Sequence, residues 1–136
     1  MHNQKDDRYH ILLIDDNRWM LSLFGAAIGA RGHKVTKTQE PEHAIQIYRA
    51  AKRVDGDRLD GILTDFHLGS ATGVDLIGSL NPEVPVVLMS VCPDVVERQH
   101  RGIVAARLKT PYNLVIDTLL HAMYKAQHPD YVNAPH

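Results

Sequence analysis

Ile11-Leu12-Leu13-Ile14-Asp15-Asp16-Asn17 (residues 11–17) decides how this chain folds. Its four apolar residues run without interruption and stop on two acids. A run so short and so continuous suits a strand buried on both faces, as a parallel sheet covered by helices requires. The same design returns at Gly61-Ile62-Leu63-Thr64, which ends at Asp65. It returns again at Val84-Pro85-Val86-Val87-Leu88-Met89, closed by Ser90. Two weaker strands are expected at His33 to Lys37 and at Val104 to Leu108, the latter running into Lys109-Thr110-Pro111.

Helical spacing fills the intervals. From about Arg18 to Arg31, Trp19, Met20, Leu23, Phe24, Ala27 and Ile28 recur on one face, and Gly32 stops the helix. Pro41 opens a second helix in the first-turn position that proline tolerates, with Ala44, Ile45, Ile47, Tyr48 and Ala51 inward. Residues 53–60 read as a polar turn. Gly73 to Leu80 and Pro93 to His100 give two more helices. The last runs from about Asn113 to Gln127 with Leu114, Ile116, Leu119, Leu120 and Met123 as packing residues. Five strands alternating with five helices imply right-handed crossovers and a doubly wound α/β fold. One domain is expected over 10–127, with flexible segments at 1–9 and 128–136.

Composition bounds the function. The chain has 136 residues, enough to bury a core without a metal or disulfide staple. Its net charge of -1 advertises no nucleic-acid partner. The lone Cys92 cannot form an internal disulfide, which suits a reducing interior. Residues 1–10 lack an apolar leader segment and nothing approaches a bilayer span, so a cytoplasmic location is expected.

In a parallel sheet the strand ends share one rim, and ligands bind there. Here that rim would gather Asp15, Asp16 and Asp65, with Ser90 and Lys109-Thr110 beside them. Carboxylates crowded in a partly desolvated cleft raise one another's pKa or recruit a cation. A hard divalent ion such as Mg²⁺ accepts oxygen ligands and keeps sites open for phosphate oxygens. The hydroxyl and the ammonium could bind the same phosphoryl group, and phosphoryl transfer asks mainly for such positioning and neutralisation. Each residue alone has a plainer role: Asp-Asp-Asn is a good helix cap, Asp65 a turn residue, and a strand-end lysine is usually solvated. Their joint placement, each at the end of its own strand, favours a site. The nine histidines form no metal-ligand spacing, and Trp19 is expected to pack rather than to do chemistry.

The segments ILLIDDN (11–17), GILTDFHLGSATGVDLI (61–77), VPVVLMS (84–90) and LKTPYNL (108–114) resemble the receiver domains of two-component response regulators. The resemblance covers about residues 10 to 126 and includes Gly73, eight residues beyond Asp65. It implies a CheY-like, flavodoxin-like strand order of 2-1-3-4-5. It implies Asp65 as phosphoacceptor, with Mg²⁺ held by Asp16 and Asp65, by Asp15 largely through water, and by the backbone carbonyl of His67. Ser90 would be the switch hydroxyl, and Pro111 a candidate cis-proline. The donor would be a sensor histidine kinase or a histidine phosphotransfer protein in a phosphorelay. A downstream protein target would dock on the face of the fourth helix, fifth strand and fifth helix. The domain would be a signalling phosphoprotein, not an enzyme in the ordinary sense, though it promotes its own phosphorylation and dephosphorylation.

This chain departs from the receiver pattern in several places. Receivers place the lysine directly before a proline, whereas here Thr110 separates Lys109 from Pro111. Aligned on the proline, Thr110 takes the lysine's place; aligned by distance from Gly102, Lys109 keeps it. The proline alignment is preferred, and a one-residue slip would turn the side chain to the other face. Arg107 or Ala106 stands where an aromatic switch residue is usual, Val91 follows Ser90 where a small residue is commoner, and Gly69 replaces a proline. These departures motivate an alternative, a pseudo-receiver that binds partners without phosphorylation. A flavin-binding or aspartate-phosphatase role fits less well: Asp15-Asp16 would repel a flavin phosphate, and DxDx[TV] is missing.

Overall fold

The computed structural model describes residues 8–53, 57–69, 71–90, 103–109 and 111–130. Five strands, β1 (His10–Ile14), β2 (Lys34–Thr38), β3 (Gly61–Asp65), β4 (Val86–Ser90) and β5 (Ile103–Leu108), form one sheet. Every pairing is parallel and the order is β2-β1-β3-β4-β5. Helices α1 (Arg18–Ala30), α2 (Pro41–Ala51), α3 (Gly73–Leu80) and α4 (Tyr112–Gln127) cover it. The chain thus has the doubly wound, flavodoxin-like order. The helix expected at 93–100 lies outside the described residues.

Side-chain alternation along the strands builds two cores. Ile11 and Leu13 of β1, with Leu63, Val87, Met89 and Ala105, pack beneath α1 and α4. Leu12 and Ile14, with Ile62, Val86, Leu88 and Ile103, pack beneath α2 and α3. Successive strand residues face opposite sides, so a strand apolar at every position serves both layers. β2 lies at the sheet edge and exposes Lys34 and Lys37, charges that discourage edge-to-edge pairing. Tyr9, placed in the leading segment by the sequence, is buried and belongs to the first core. No helix among the described residues is long and apolar enough to cross a membrane.

The helix faces required two corrections. α1 buries Leu21, Phe24 and Ile28, whereas Trp19 is 79% exposed and Leu23 39% exposed. At about 100° per residue, a face centred on Phe24 puts Leu23 on its flank and Trp19 on the far side. Trp19 is therefore not a packing residue. In α4 the buried set is Val115, Ile116, Leu119 and Met123, while Leu114 faces solvent. Leu114 stands to Leu119 as Trp19 stands to Phe24, five residues earlier and so outside the buried stripe.

Candidate functional site

The first acids are set by the junction between β1 and α1. β1 pairs with β2 as far as Ile14 and Thr38, and the ladder takes one further rung, Asp15 N–H to the Thr38 carbonyl at 3.2 Å. Asn17 caps α1, its side-chain oxygen accepting from the N–H groups of Trp19 (2.9 Å) and Met20 (3.3 Å). Asp15 Oδ1 accepts from Asn17 N–H at 2.9 Å. The capping role and the site role are therefore divided among atoms. Asn17 and one oxygen of Asp15 build the turn, and Asp15 Oδ2 is left to face the rim.

Asp65 ends β3 directly beside β1 and is 3% exposed. Gly73 is what lets α3 begin against it. A Cβ on Gly73 would collide with the Asp65 carbonyl oxygen and lie 2.9 Å from Leu88 Cδ1. Gly73 N–H donates instead to the Phe66 carbonyl at 2.7 Å, and Thr72 closes a capping box with Asp75.

Asp15, Asp16 and Asp65 each offer a carboxylate oxygen within 4.8 Å of the others. Asp15 is fully buried, Asp65 nearly so, and Asp16 exposed. Burial, then the charge of Asp15, pushes the Asp65 carboxyl up to about 6 despite the opposing Lys109. Burial likewise raises Asp15, against the lowering pull of the Asn17 N–H and Lys109. The Lys109 Nζ lies 3.1 Å from Asp15 Oδ2 and 3.3 Å from Asp65 Oδ2. Burial opposes its charge, but the two carboxylates outweigh burial and raise its pKa. The contact with Asp15 Oδ2 is an ion pair rather than an aligned hydrogen bond, since that buried oxygen has no hydrogen-bond partner. One ammonium cannot neutralise three carboxylates, so the rim keeps an excess of negative charge.

The rest of the expected set divides. Ser90 is buried at the end of β4, where it pairs with Leu108 of β5, one residue before Lys109. His67 is exposed in a short antiparallel pairing of His67–Leu68 with Ala71–Thr72, its ring edge-on to Phe66. Thr110 and Val91 lie outside the described residues, as does the peptide bond that joins residues 110 and 111. Pro111 is the N-cap of α4. The proline alignment had given Thr110 the lysine's place; the ammonium that reaches both buried acids is that of Lys109. Its long side chain leaves the strand end and still spans to β1 and β3.

These donors suit a divalent cation. All are hard oxygens, one of them buried without a hydrogen bond, and raised carboxyl pKa values mark uncompensated charge. Among the described residues no other group of three such ligands comes together. Two residues that the sequence did not single out support the acids from the end of β2: Thr38, its last residue, through its carbonyl, and Gln39, which follows it and whose Nε2 donates to the Asp16 carbonyl at 3.0 Å. Nothing in their residue types signals this, because the contact depends on where β2 ends.

No protein-family model matches the chain. Over 92 residues, 65% of this chain, it is 32% identical to the two-component response regulator ORR27 of Oryza sativa subsp. japonica, and it spans 14% of that relative's length. A response regulator receiver domain from Clostridium thermocellum superposes with a TM-score of 0.67 over 89% of this chain and 95% of that one, at 18% identity. A response regulator from Burkholderia pseudomallei, solved with a phosphorylated aspartic acid, a calcium ion and citrate, superposes with a TM-score of 0.68 over 93% and 75%, at 19% identity. In strand order and in three-dimensional shape the chain has the CheY-like fold of response regulator receiver domains, and over 92 residues its sequence is similar to a curated response regulator.

Proposed function

We propose that this domain accepts a phosphoryl group on Asp65 from a phosphohistidine of a sensor kinase or phosphotransfer protein, with Mg²⁺ bound at the acidic rim. One observation carries the proposal: a buried strand-end carboxylate lies within ion-pair reach of a strand-end ammonium and beside two further acids. A carboxylate oxygen of Asp65 would form the O–P bond as the donor's N–P bond breaks. The released electron pair returns to the imidazole nitrogen, which takes a proton from solvent. Lys109 would follow the charge onto the phosphoryl oxygens, exchanging a carboxylate partner for a phosphoryl one, and Ser90 would offer its hydroxyl to the same group. Asp15, Asp16 and Asp65, with the His67 carbonyl, would hold the cation, which when bound offsets charge on the transferred group. Water attack at phosphorus later returns Asp65 to its free carboxylate. The output would be a changed partner-binding surface in a cytoplasmic phosphorelay.

Incubation with phosphoramidate or acetyl phosphate and MgCl₂, followed by intact mass and peptide mapping, tests the proposal. One phosphoryl group should appear on Asp65, be absent in Asp65→Asn and fail to form when EDTA replaces MgCl₂. An unmodified Asp65 under those conditions would leave a phosphorylation-independent interaction domain as the better account.

A further inference from the structure

We propose that Gln39 is a positioning residue for cation binding, holding Asp16 in place from the position just after strand β2; this rests on the rim being a cation site, as set out above. Asp16 is the exposed member of the acidic group, and two like charges stand beside it. Asp15 is held by its own main chain and by Asn17, and Asp65 by the strand it ends. Asp16 belongs to neither strand nor helix. Among the described residues its one hydrogen bond is that from Gln39 Nε2 to its carbonyl, at 3.0 Å.

The geometry shows why residue 39 can do this. The β1–β2 ladder reaches Ile14 opposite Thr38, and Asp15 N–H to the Thr38 carbonyl is its last main-chain rung. At the next residue the chains part, β1 toward α1 and β2 toward α2. The Gln39 amide bridges that gap and replaces the missing rung. The starting point of the bridge is fixed as well. Thr38 is buried, its hydroxyl accepts from Glu40 N–H at 3.2 Å and contacts His43 Nδ1 at 3.0 Å. A carboxylate that must meet a cation together with two others gains affinity when its backbone is already placed, since less ordering remains for binding to impose. Gln39 touches no ligand-bearing oxygen and acts only through Asp16.

Gln39→Met keeps the length of the side chain and removes the amide donor. Calorimetric titration of the full chain with MgCl₂ should give roughly threefold to tenfold weaker binding, the worth of one such hydrogen bond. The urea midpoint in EDTA should not change, because the bond lies on the exposed surface. Amide chemical shifts of Asp16 and Asn17 in the ion-free protein should move, while those along β3 stay. Affinity within about twofold of the unmodified chain would overturn the inference. So would a loss of affinity matched by a fall in the urea midpoint, which would make Gln39 merely structural. If the unmodified chain takes up no Mg²⁺ at all while Asp16→Asn behaves identically, the cation site fails and this inference with it.

Discussion

Asp65→Asn should make the ion-free protein more stable, not less. The structure raises this carboxyl from 3.8 to about 6, chiefly by burial and by the neighbouring charge of Asp15. A group whose pKa is higher folded than unfolded favours the folded state below the unfolded pKa, and that contribution is lost as pH rises through the folded one. Above pH 6 the native chain therefore carries the full cost of ionising Asp65. At about 1.4 kcal/mol per pKa unit this amounts to roughly 3 kcal/mol. Asparagine has nearly the same shape and no charge, but its amide must find an acceptor among carboxylates, so a net gain of about 1–3 kcal/mol is expected. For a chain of this size that is a rise of several degrees in melting temperature. Urea unfolding of both proteins in EDTA at pH 7.5 and pH 5 measures it, and the gain should fall to about half at the lower pH. Added MgCl₂ should stabilise the unmodified chain by mass action and narrow or reverse the difference. Equal or lower stability of Asp65→Asn at pH 7.5, or a gain independent of pH, would refute the account of the rim as a site of stored charge repulsion.

Three other outcomes are expected. Lys109→Met leaves Asp15 and Asp65 without their ammonium, so the chain should lose about 2 kcal/mol at pH 7.5, with much of the loss recovered at pH 5 where Asp65 protonates; urea midpoints that fall equally at both pH values would contradict this. Gly73→Ala forces a Cβ against the Asp65 carbonyl and Leu88 and should cost about 2–4 kcal/mol; a loss below about 1 kcal/mol would mean that α3 shifts easily away from β3. Trp19 is 79% exposed and three residues beyond Asp16, so Trp19→Phe should leave stability within about 0.5 kcal/mol while the indole emission of the unmodified chain changes with millimolar MgCl₂; an unchanged spectrum would remove the indole as a reporter.

Much of this protein is legible in one dimension because burial imposes periodicity. Residues 11–14, 62–63 and 86–89 are apolar at every position, and only a strand with helices on both faces buries every one of them, so the layered fold could be read directly. The acids could be read too, since a parallel sheet puts every strand end on one rim. Gly73 carried a signal because only glycine lets α3 start against the Asp65 carbonyl. What the tertiary structure decided are matters of direction. Trp19 and Leu21 are equally apolar, and the packing of Phe24 and Ile28 chose which of them faces inward. Lys109 and Thr110 differ by one position, and the reach of a four-carbon side chain placed the ammonium between Asp15 and Asp65. Gln39 reads as any surface glutamine until β2 is laid beside β1 and ends at Thr38, opposite Ile14 and two residues short of Asp16. Sequence patterns report which residues must leave water; where a polar side chain points depends on neighbours that only the folded chain brings within reach.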